Sequence, residues 1–224
     1  MKKFAVIMLS IFAAAYAAWV IAYPSAVWRY RLTIEVETPE GLKTGSSVIE
    51  VQVKDGPSFN PDGARTVFVR GEAVAVDLGA RGVLFALLRS ERTTDHAQYV
   101  VYETFPWPGG PGGEITKNGR LFYQALDAKA DLRIGQLPMM VRFKVIADPK
   151  TVEKVDPNSL EVSFGQGVKF SKATIQMTKD PVTFRIDSYL PWLASSKGAV
   201  TGKTFADPNN AGPENYITSF DMRR

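Results

Sequence analysis

Residues 29–54 read RYRLTIEVETPEGLKTGSSVIEVQVK, and this stretch decides the fold class. Apolar and polar residues alternate from 29 to 38, which predicts a half-buried strand whose inner face is Tyr30, Leu32, Ile34 and Val36. The alternation resumes from 46 to 54, with an inner face of Ile49, Val51 and Val53. The turn between the two runs starts at PEG and ends at Gly45, so we expect a hairpin with a longer loop.

The rest of the chain adds strands and a few short helices. Apolar or alternating runs predict strands at 66–69, 72–78, 83–88, 137–147, 168–178, 182–186 and 216–220. Helices are expected at 119–128 and at 157–164, whereas 94–105 fits either a strand or a short helix. The compositions of 55–64 and of 105–113 (FPWPGGPGG) indicate loops. The sum is an α+β, sheet-dominated single domain of about eight strands and two to four short helices.

The segment from Phe4 to Tyr23 carries no charge. Twenty helical residues span about 30 Å, the thickness of the hydrocarbon core of a bilayer. One interpretation is an uncleaved membrane anchor, with Lys2 and Lys3 holding the N-terminus in the cytoplasm. The second is a signal peptide that is cleaved after Ala17, at an A-x-A site, and the third is a core helix of a cytosolic protein.

The two export interpretations agree that residues 29–224 lie outside the cytoplasm. In a bacterium, an anchored protein would then hold this domain in the periplasm, at the inner membrane. A cleaved protein would be secreted. We therefore divide the chain into an anchor or signal segment at 1–28, an extracytoplasmic sheet domain at 29–193, and a polar extension rich in Gly, Pro and Asn at 194–224. The lipid bilayer is then a partner of the N-terminal helix.

Composition excludes several classes of function. The chain has no cysteine and one histidine, His96, so thiolate chemistry, iron–sulfur clusters and metal sites with two histidines are excluded. The net charge of +4 does not indicate a basic patch. Without Lys2 and Lys3 the chain has 25 basic and 23 acidic side chains, which are nearly balanced. We expect no nucleic-acid partner. We also expect no nucleotide and no other cofactor, since residues 198–204 (GAVTGKT) have three residues between the glycines where a phosphate loop needs four.

Two aromatic–proline clusters are the candidate binding residues. Phe105 and Trp107 lie in the Gly/Pro-rich loop, which we expect to be exposed, and Trp192 lies between Leu190 and Leu193. Tryptophan on a stiff loop can stack on a sugar or anchor a protein interface. For Trp192 the competing expectation is that it closes one end of the core.

No catalytic residue is identified from the sequence. His96 is expected to face solvent or cap a helix. Glu35 and Glu37 share a strand face, where pairing with cations of the neighbouring strand is expected ahead of hydrolase chemistry.

Several motifs spread over residues 20–193 occur together. They include LPMMVRF at 137–143, DPxTVExVDP at 148–157, FGxGV at 164–168, DPVT at 180–183 and LPWL at 190–193. With the apolar N-terminus and the GSSVIEV run at 45–51, the chain resembles a family of uncharacterised proteins of Gram-negative bacteria. The resemblance implies a bacterial, membrane-associated protein and no particular activity.

Together these expectations describe a membrane-anchored periplasmic domain that binds or scaffolds another envelope component, for example an envelope protein. The alternative is an extracytoplasmic carboxylate-based hydrolase or a sugar-binding module that acts on envelope polysaccharide. A hydrolase requires a concave pocket in which two carboxylates converge. A binding module requires an exposed apolar surface without such a pair.

Overall fold

The computed structural model describes residues 2–23, 25–56, 65–196 and 217–224. Within these ranges the chain forms nine strands in two antiparallel sheets, together with five α-helices. The α+β, sheet-dominated fold predicted from the sequence is therefore confirmed. Of the loop predicted at 55–64, Asp55 ends a strand and residues 57–64 lie outside the described residues, as does the GAVTGKT segment at 198–204.

The first sheet is built on the predicted hairpin, but a two-residue turn at Pro39 and Glu40 replaces the longer loop that was expected to end at Gly45. Strands β1 (Ser25–Thr38) and β2 (Gly41–Asp55) pair along their whole length, from Ser25↔Lys54 to Thr38↔Gly41. The other strands of this sheet are β3 (Arg65–Arg70), β6 (Lys129–Asp131) and β9 (Lys169–Thr178), in the order β3-β2-β1-β9-β6. The predicted alternation is confirmed, since every second residue of β1 from Ala26 to Val36 is buried.

The second sheet has four strands in the order β4-β5-β7-β8. These are β4 (Val74–Asp77), β5 (Val83–Ala86), β7 (Met140–Phe143) and β8 (Val152–Val155). One of its faces packs on the inner face of the first sheet and forms the main core. The backbones approach closely where β2 passes β4, because a Cβ on Gly45 would lie 2.1 Å from the Ala75 carbonyl oxygen.

The opposite face of the second sheet is also buried. Phe85, Val141 and Phe143 on this face contact side chains from two remote parts of the chain, at 186–193 and 217–224. Glu72 holds the first of these segments, since its buried carboxylate accepts the backbone N–H groups of Arg185 and Ile186. The second segment pairs its backbone with residues 71–73 and with Leu88.

Short helices cover the remaining edges of the core. They are α2 (His96–Thr104), α3 (Lys117–Ala125), α4 (Leu160–Phe164) and α5 (Ser219–Met222). α2 is attached to the first sheet by the Tyr30 hydroxyl, which donates a 2.7 Å hydrogen bond to the Ala97 carbonyl. The Thr116 side chain caps α3 by accepting from the Gly119 N–H.

Several local predictions were wrong. Residues 182–186 form no strand, because the backbone of Thr183 pairs only locally with Val48 and the chain then turns into a 3₁₀ helix at Ile186–Ser188. The Asp156 carboxylate accepts from Asn158 N–H within a turn, so α4 begins at Leu160 and not at 157. The strand expected at 216–220 is not formed, since Ser219 and Phe220 begin the helix α5. Strands β6 and β8 were not anticipated.

Residues 217–224, which the sequence assigned to a polar extension, contribute to the core. Ile217 is 1% exposed and Met222 is fully buried. The Met222 carbonyl accepts from Ala73 N–H, and the backbones of Gly71 and Arg224 bond to each other in both directions. This segment therefore seals the second sheet.

The N-terminal segment forms helix α1 (Lys2–Ala22). Its described side chains from 7 to 19 are all exposed. Among the residues that the structure describes, no helix has the length and apolar character needed to cross a membrane.

Candidate functional site

A cleft of about 580 Å³ opens beside the start of β1. Its apolar walls are Trp28, Tyr123, Leu126 and Met177, and Asp127 and Lys179 carry charge at it. The end of α3 and the following residues 126–127 form one side, and the end of β9 forms another. We refer to this feature as the β1 cleft.

The cleft lies where β1 lacks a neighbour. Pairing with β2 continues to Ser25, whereas pairing with β9 stops at Arg29↔Thr178. Outside the sheet ladders, no hydrogen bond between described residues involves the backbone of residues 25–28. Because alternate residues of a strand direct their N–H and C=O groups to opposite sides, part of this backbone faces the cleft without a partner.

An aromatic cluster forms the inner wall of the cleft. Trp28 packs on Tyr102 and Tyr123, with ring centroids 5.9 and 5.6 Å apart, and the two tyrosine rings are 4.9 Å from each other. Trp28 is 4% exposed, and its indole Nε1 is buried without a hydrogen-bond partner among the described residues. Burial, aided by the charge of Glu114, raises the pKa of Tyr123 to about 12, so its hydroxyl stays protonated.

The structure joins Phe105 and Trp107 to this aromatic cluster. The Tyr123 hydroxyl donates to the Phe105 carbonyl, and Trp107 packs edge-on against Phe122 at 5.3 Å. The indole of Trp107 lies on the backbone of Gly109 and Gly113, where an added Cβ would come within 2.1 and 2.4 Å of the ring. Trp107 is thus half-buried. The expectation that Trp107 is exposed was wrong, because its ring packs on the glycines of its own loop.

Trp192 belongs to the other side of the molecule. It packs on Phe143 in the cluster behind the second sheet, and its Nε1 donates a 2.8 Å hydrogen bond to the Ile146 carbonyl. Its ring is half-buried. The structure therefore brings Phe105 and Trp107 together and places Trp192 apart from them.

An ion-pair cluster lies near the β1 cleft, at the end of β2. Asp55, at the end of β2, accepts from Arg120 at 2.6 Å and from Arg65 at 3.1 Å. Burial alone would raise the pKa of Asp55, but the hydrogen bonds from Arg120 and Arg65 outweigh it and lower the pKa. The Arg120 side chain is 6% exposed, so this pair ties α3 to the hairpin from inside the protein.

His96 does not face solvent, contrary to the sequence-based expectation. It is 4% exposed at the start of α2, and its Nε2 has no partner among the described residues. Burial, together with the positive charge of Arg92, lowers its pKa to about 4. At neutral pH the ring is uncharged.

The carboxylates give little support to a hydrolase. Asp127 is the only carboxylate among the described residues that line the β1 cleft. Glu35 lies on the outer face of the first sheet, 3.6 Å from Lys172 of the neighbouring strand, as the pairing hypothesis predicted. Within the described ranges, no group of three or more His, Asp or Glu residues is placed to hold a metal ion.

Comparison of the chain with protein-family models, with curated proteins and with solved structures finds no match.

The β1 cleft was not anticipated from the sequence. In the structure β1 begins at Ser25, and Ala26 and Trp28 are buried while Val27 between them is half-buried. Extending the predicted strand back to residue 25 would have placed Trp28 on its inner face. Pairing with β9 stops four residues short of the start of β1. The register between two strands sets this end point, and the sequence pattern of one strand does not predict it.

Proposed function

We propose that the chain is a membrane-anchored extracytoplasmic binding domain whose β1 cleft receives an extended segment of a membrane-bound partner protein. The observation that carries the proposal is the position of the cleft. It opens beside residues 27–29, directly after the helix that we assign to the bilayer.

The anchor is proposed for the whole uncharged segment 4–23, since the part of α1 that the structure describes does not by itself have the length and apolar character needed to span a bilayer. The exposed apolar side chains of α1 support this proposal. Ile7, Leu9 and Ile11 are 57, 71 and 57% exposed, and Leu9 lies on the opposite side of the helix from the other two. Exposing such side chains to water costs roughly 1.5–3 kcal/mol each relative to burial, so an apolar medium around α1 is favoured. We place α1 in the bacterial inner membrane, with Lys2 and Lys3 in the cytoplasm and the sheets in the periplasm.

The connection between α1 and the sheet is short. Four residues lie between Ala22 and Val27, and the five Cα-to-Cα steps that join them span at most about 18 Å. The cleft would thus stay near the membrane surface, within reach of partners that are themselves membrane-bound.

The chemistry of the cleft favours an extended peptide. Residues 25–28 pair with β2 on one side, and their other side offers strand-type hydrogen bonds. The wall of Trp28, Tyr123, Leu126 and Met177 offers a site for one apolar side chain. Addition of a strand to an open sheet edge combines these two features. A sugar ligand is less favoured, because Trp107, the ring chosen for stacking, packs on its own loop.

Site-specific cross-linking in intact cells tests the cleft. A photo-reactive amino acid at Gln124, on the rim, should yield a discrete cross-linked product, and the same group at the exposed Glu161 on α4 should not. Filling the cleft with Ala125→Trp should abolish the Gln124 product while the protein remains folded. Identical products at both positions, or a Gln124 product that survives Ala125→Trp, would refute the cleft as the binding site.

Topology is tested separately. Alkaline phosphatase fused after Arg224 should be active, and the protein should resist alkaline extraction from membranes. A mature chain that begins at Ala18, measured by intact mass, would replace the anchor with the secreted alternative. An inactive phosphatase fusion with an active cytoplasmic reporter would reject export altogether.

A further inference from the structure

Two cavities meet on the side of the domain where α2 packs against the 3₁₀ helix Ile134–Gln136. One, of about 440 Å³, is lined by Arg92, Glu103, Arg133, Gly135 and Gln136. The other, of about 520 Å³, shares Arg92 and Gly135 with it and continues towards Lys154. None of their lining residues lines the β1 cleft.

Gln136 gives the smaller cavity its chemical character. It is 6% exposed, and its Oε1 accepts from both the backbone N–H and the Nε–H of Arg133, at 3.1 and 3.2 Å. These two donors fix which end of the amide is oxygen. The Nε2 end is therefore a buried donor, and it has no partner among the described residues.

A buried amide donor without an acceptor is rare, because it loses its bonds to water without replacement. A group that brings an acceptor into this cavity would restore them. The observation thus points to a ligand with acceptor oxygens.

The charges around Gln136 define the ligand further. Arg92 donates from Nη2 to the Gly135 carbonyl at 2.8 Å and lies 3.5 Å from the Glu103 carboxylate. Arg133 uses its Nε for Gln136, and no ion pair joins it to another described residue. Two guanidinium groups against one carboxylate leave one net positive charge, which matches a singly charged anion better than a dianion.

We propose that this cavity binds the carboxylate group of a small molecule, held by Arg133, Arg92 and the Nε2 of Gln136. Guanidinium groups pair with carboxylates in a planar, two-bond geometry. The wider cavity beyond Gly135 leaves room for the rest of the ligand.

An NMR titration of the full chain in detergent tests this site with acetate as the probe. We expect saturable shifts of the Gly135 backbone amide and of the Gln136 side-chain amide. Gln136→Glu keeps the acceptor for Arg133 but removes the Nε2 donor and adds a negative charge, so it should weaken acetate binding about tenfold or more. Arg133→Gln should also weaken it, and Lys150→Gln, an exposed cation outside both cavities, should leave it unchanged.

Three outcomes would overturn the proposal. The first is the absence of saturable shifts up to about 100 mM acetate, a concentration at which even weak carboxylate sites fill. The second is unchanged binding in folded Gln136→Glu. The third is tighter binding of inorganic phosphate than of acetate, which would exclude a carboxylate as the preferred group.

Discussion

The two sheets share a core but differ in what covers their outer faces. The outer face of the first sheet carries half-buried polar side chains, including Arg29, Thr33 and Glu35, and is partly open to water. The outer face of the second sheet carries Phe85 and Phe143 and is fully covered. A hairpin with one solvent-exposed face is encoded by the alternation of apolar and polar residues along its own strands. A sheet that is buried on both faces needs other segments of the chain to cover its second face.

The largest expected effect comes from removing that cover. Deletion of residues 217–224 would expose the face that Ile217 and Met222 bury and would leave the backbone of Gly71, Ala73 and Leu88 without partners. Loss of two buried apolar side chains alone costs about 5 kcal/mol or more. We expect no cooperative thermal transition by circular dichroism.

The control for this deletion is Phe220→Ala. Phe220 is 62% exposed within the same segment, so the change should alter stability by less than about 0.5 kcal/mol. A deletion variant with a near-native melting temperature would show that the second sheet closes without the segment.

Single substitutions on the two outer faces give the next largest contrast. Phe85 is fully buried and packs edge-on against Phe143 and Tyr189, so Phe85→Ala should cost about 3–5 kcal/mol. Thr33→Ala, on the outer face of the first sheet, should cost less than about 0.5 kcal/mol. Urea denaturation measures the free energy of unfolding of both variants. Similar losses would contradict the proposed difference between the two outer faces.

The pH dependence of stability should report on His96. Between pH 6.5 and about 4 the unfolded state binds a proton at His96 and the folded state does not, so stability falls as the pH is lowered through this window. The loss is on the order of 3 kcal/mol in total. Asp55, whose pKa is lowered from 3.8, contributes only below this range.

Replacement of His96 isolates this contribution. His96→Leu should flatten the profile of unfolding free energy between pH 6.5 and 4, measured by urea denaturation at several pH values. An unchanged slope would mean that His96 is protonated in the folded protein.

The contact between the sheets is tested at Gly45. An alanine Cβ there would lie 2.1 Å from the Ala75 carbonyl, so Gly45→Ala should force the sheets apart and cost about 1–3 kcal/mol. Gly135→Ala is the matched control, since no atom lies within 4 Å of its added Cβ. Equal melting temperatures for the two variants would contradict the close approach.

The smallest expected difference is between the two tryptophans. Trp107 and Trp192 are both half-buried, each against one aromatic ring, in the clusters of the first and second sheet respectively. Trp107→Ala and Trp192→Ala should therefore lower stability by amounts within about 1 kcal/mol of each other. A much larger loss for one of them, measured by calorimetry, would identify the cluster that limits stability.

Sequence periodicity predicts the first sheet well and the second one less well. β1 alternates because one face meets the core, and that pattern was found from Tyr30 to Val36. In β2, Ile49, Val51 and Val53 are buried as predicted, but Val48 and Glu50 between and beside them are buried as well. β8 has four residues, too few for a periodic signal. Residues 182–186 have the composition of a strand, but only Ile186 is buried, and it packs on the second sheet without joining it. The burial of Met222 follows from its contact with Ala73, which lies 149 residues earlier in the chain (222 − 73), and no local pattern encodes it.

The sites follow the same division. The residue types of Trp107 and Trp192 were visible in the sequence, but their partners, Phe122 and Phe143, are set by tertiary packing. The buried Nε2 of Gln136 and the open edge of β1 are both defined by an absent partner. Such features appear only when the pairing of the whole sheet is known.

The docking of residues 217–224 also constrains when the protein can become stable during its synthesis. β4 and β5 leave the ribosome about 130 residues before the segment that seals them, so the nascent chain spends most of its elongation with Phe85 unshielded. At roughly 5–20 residues per second, this interval lasts several seconds or more. A chain held incomplete for that time exposes the apolar face around Phe85 and is prone to aggregate.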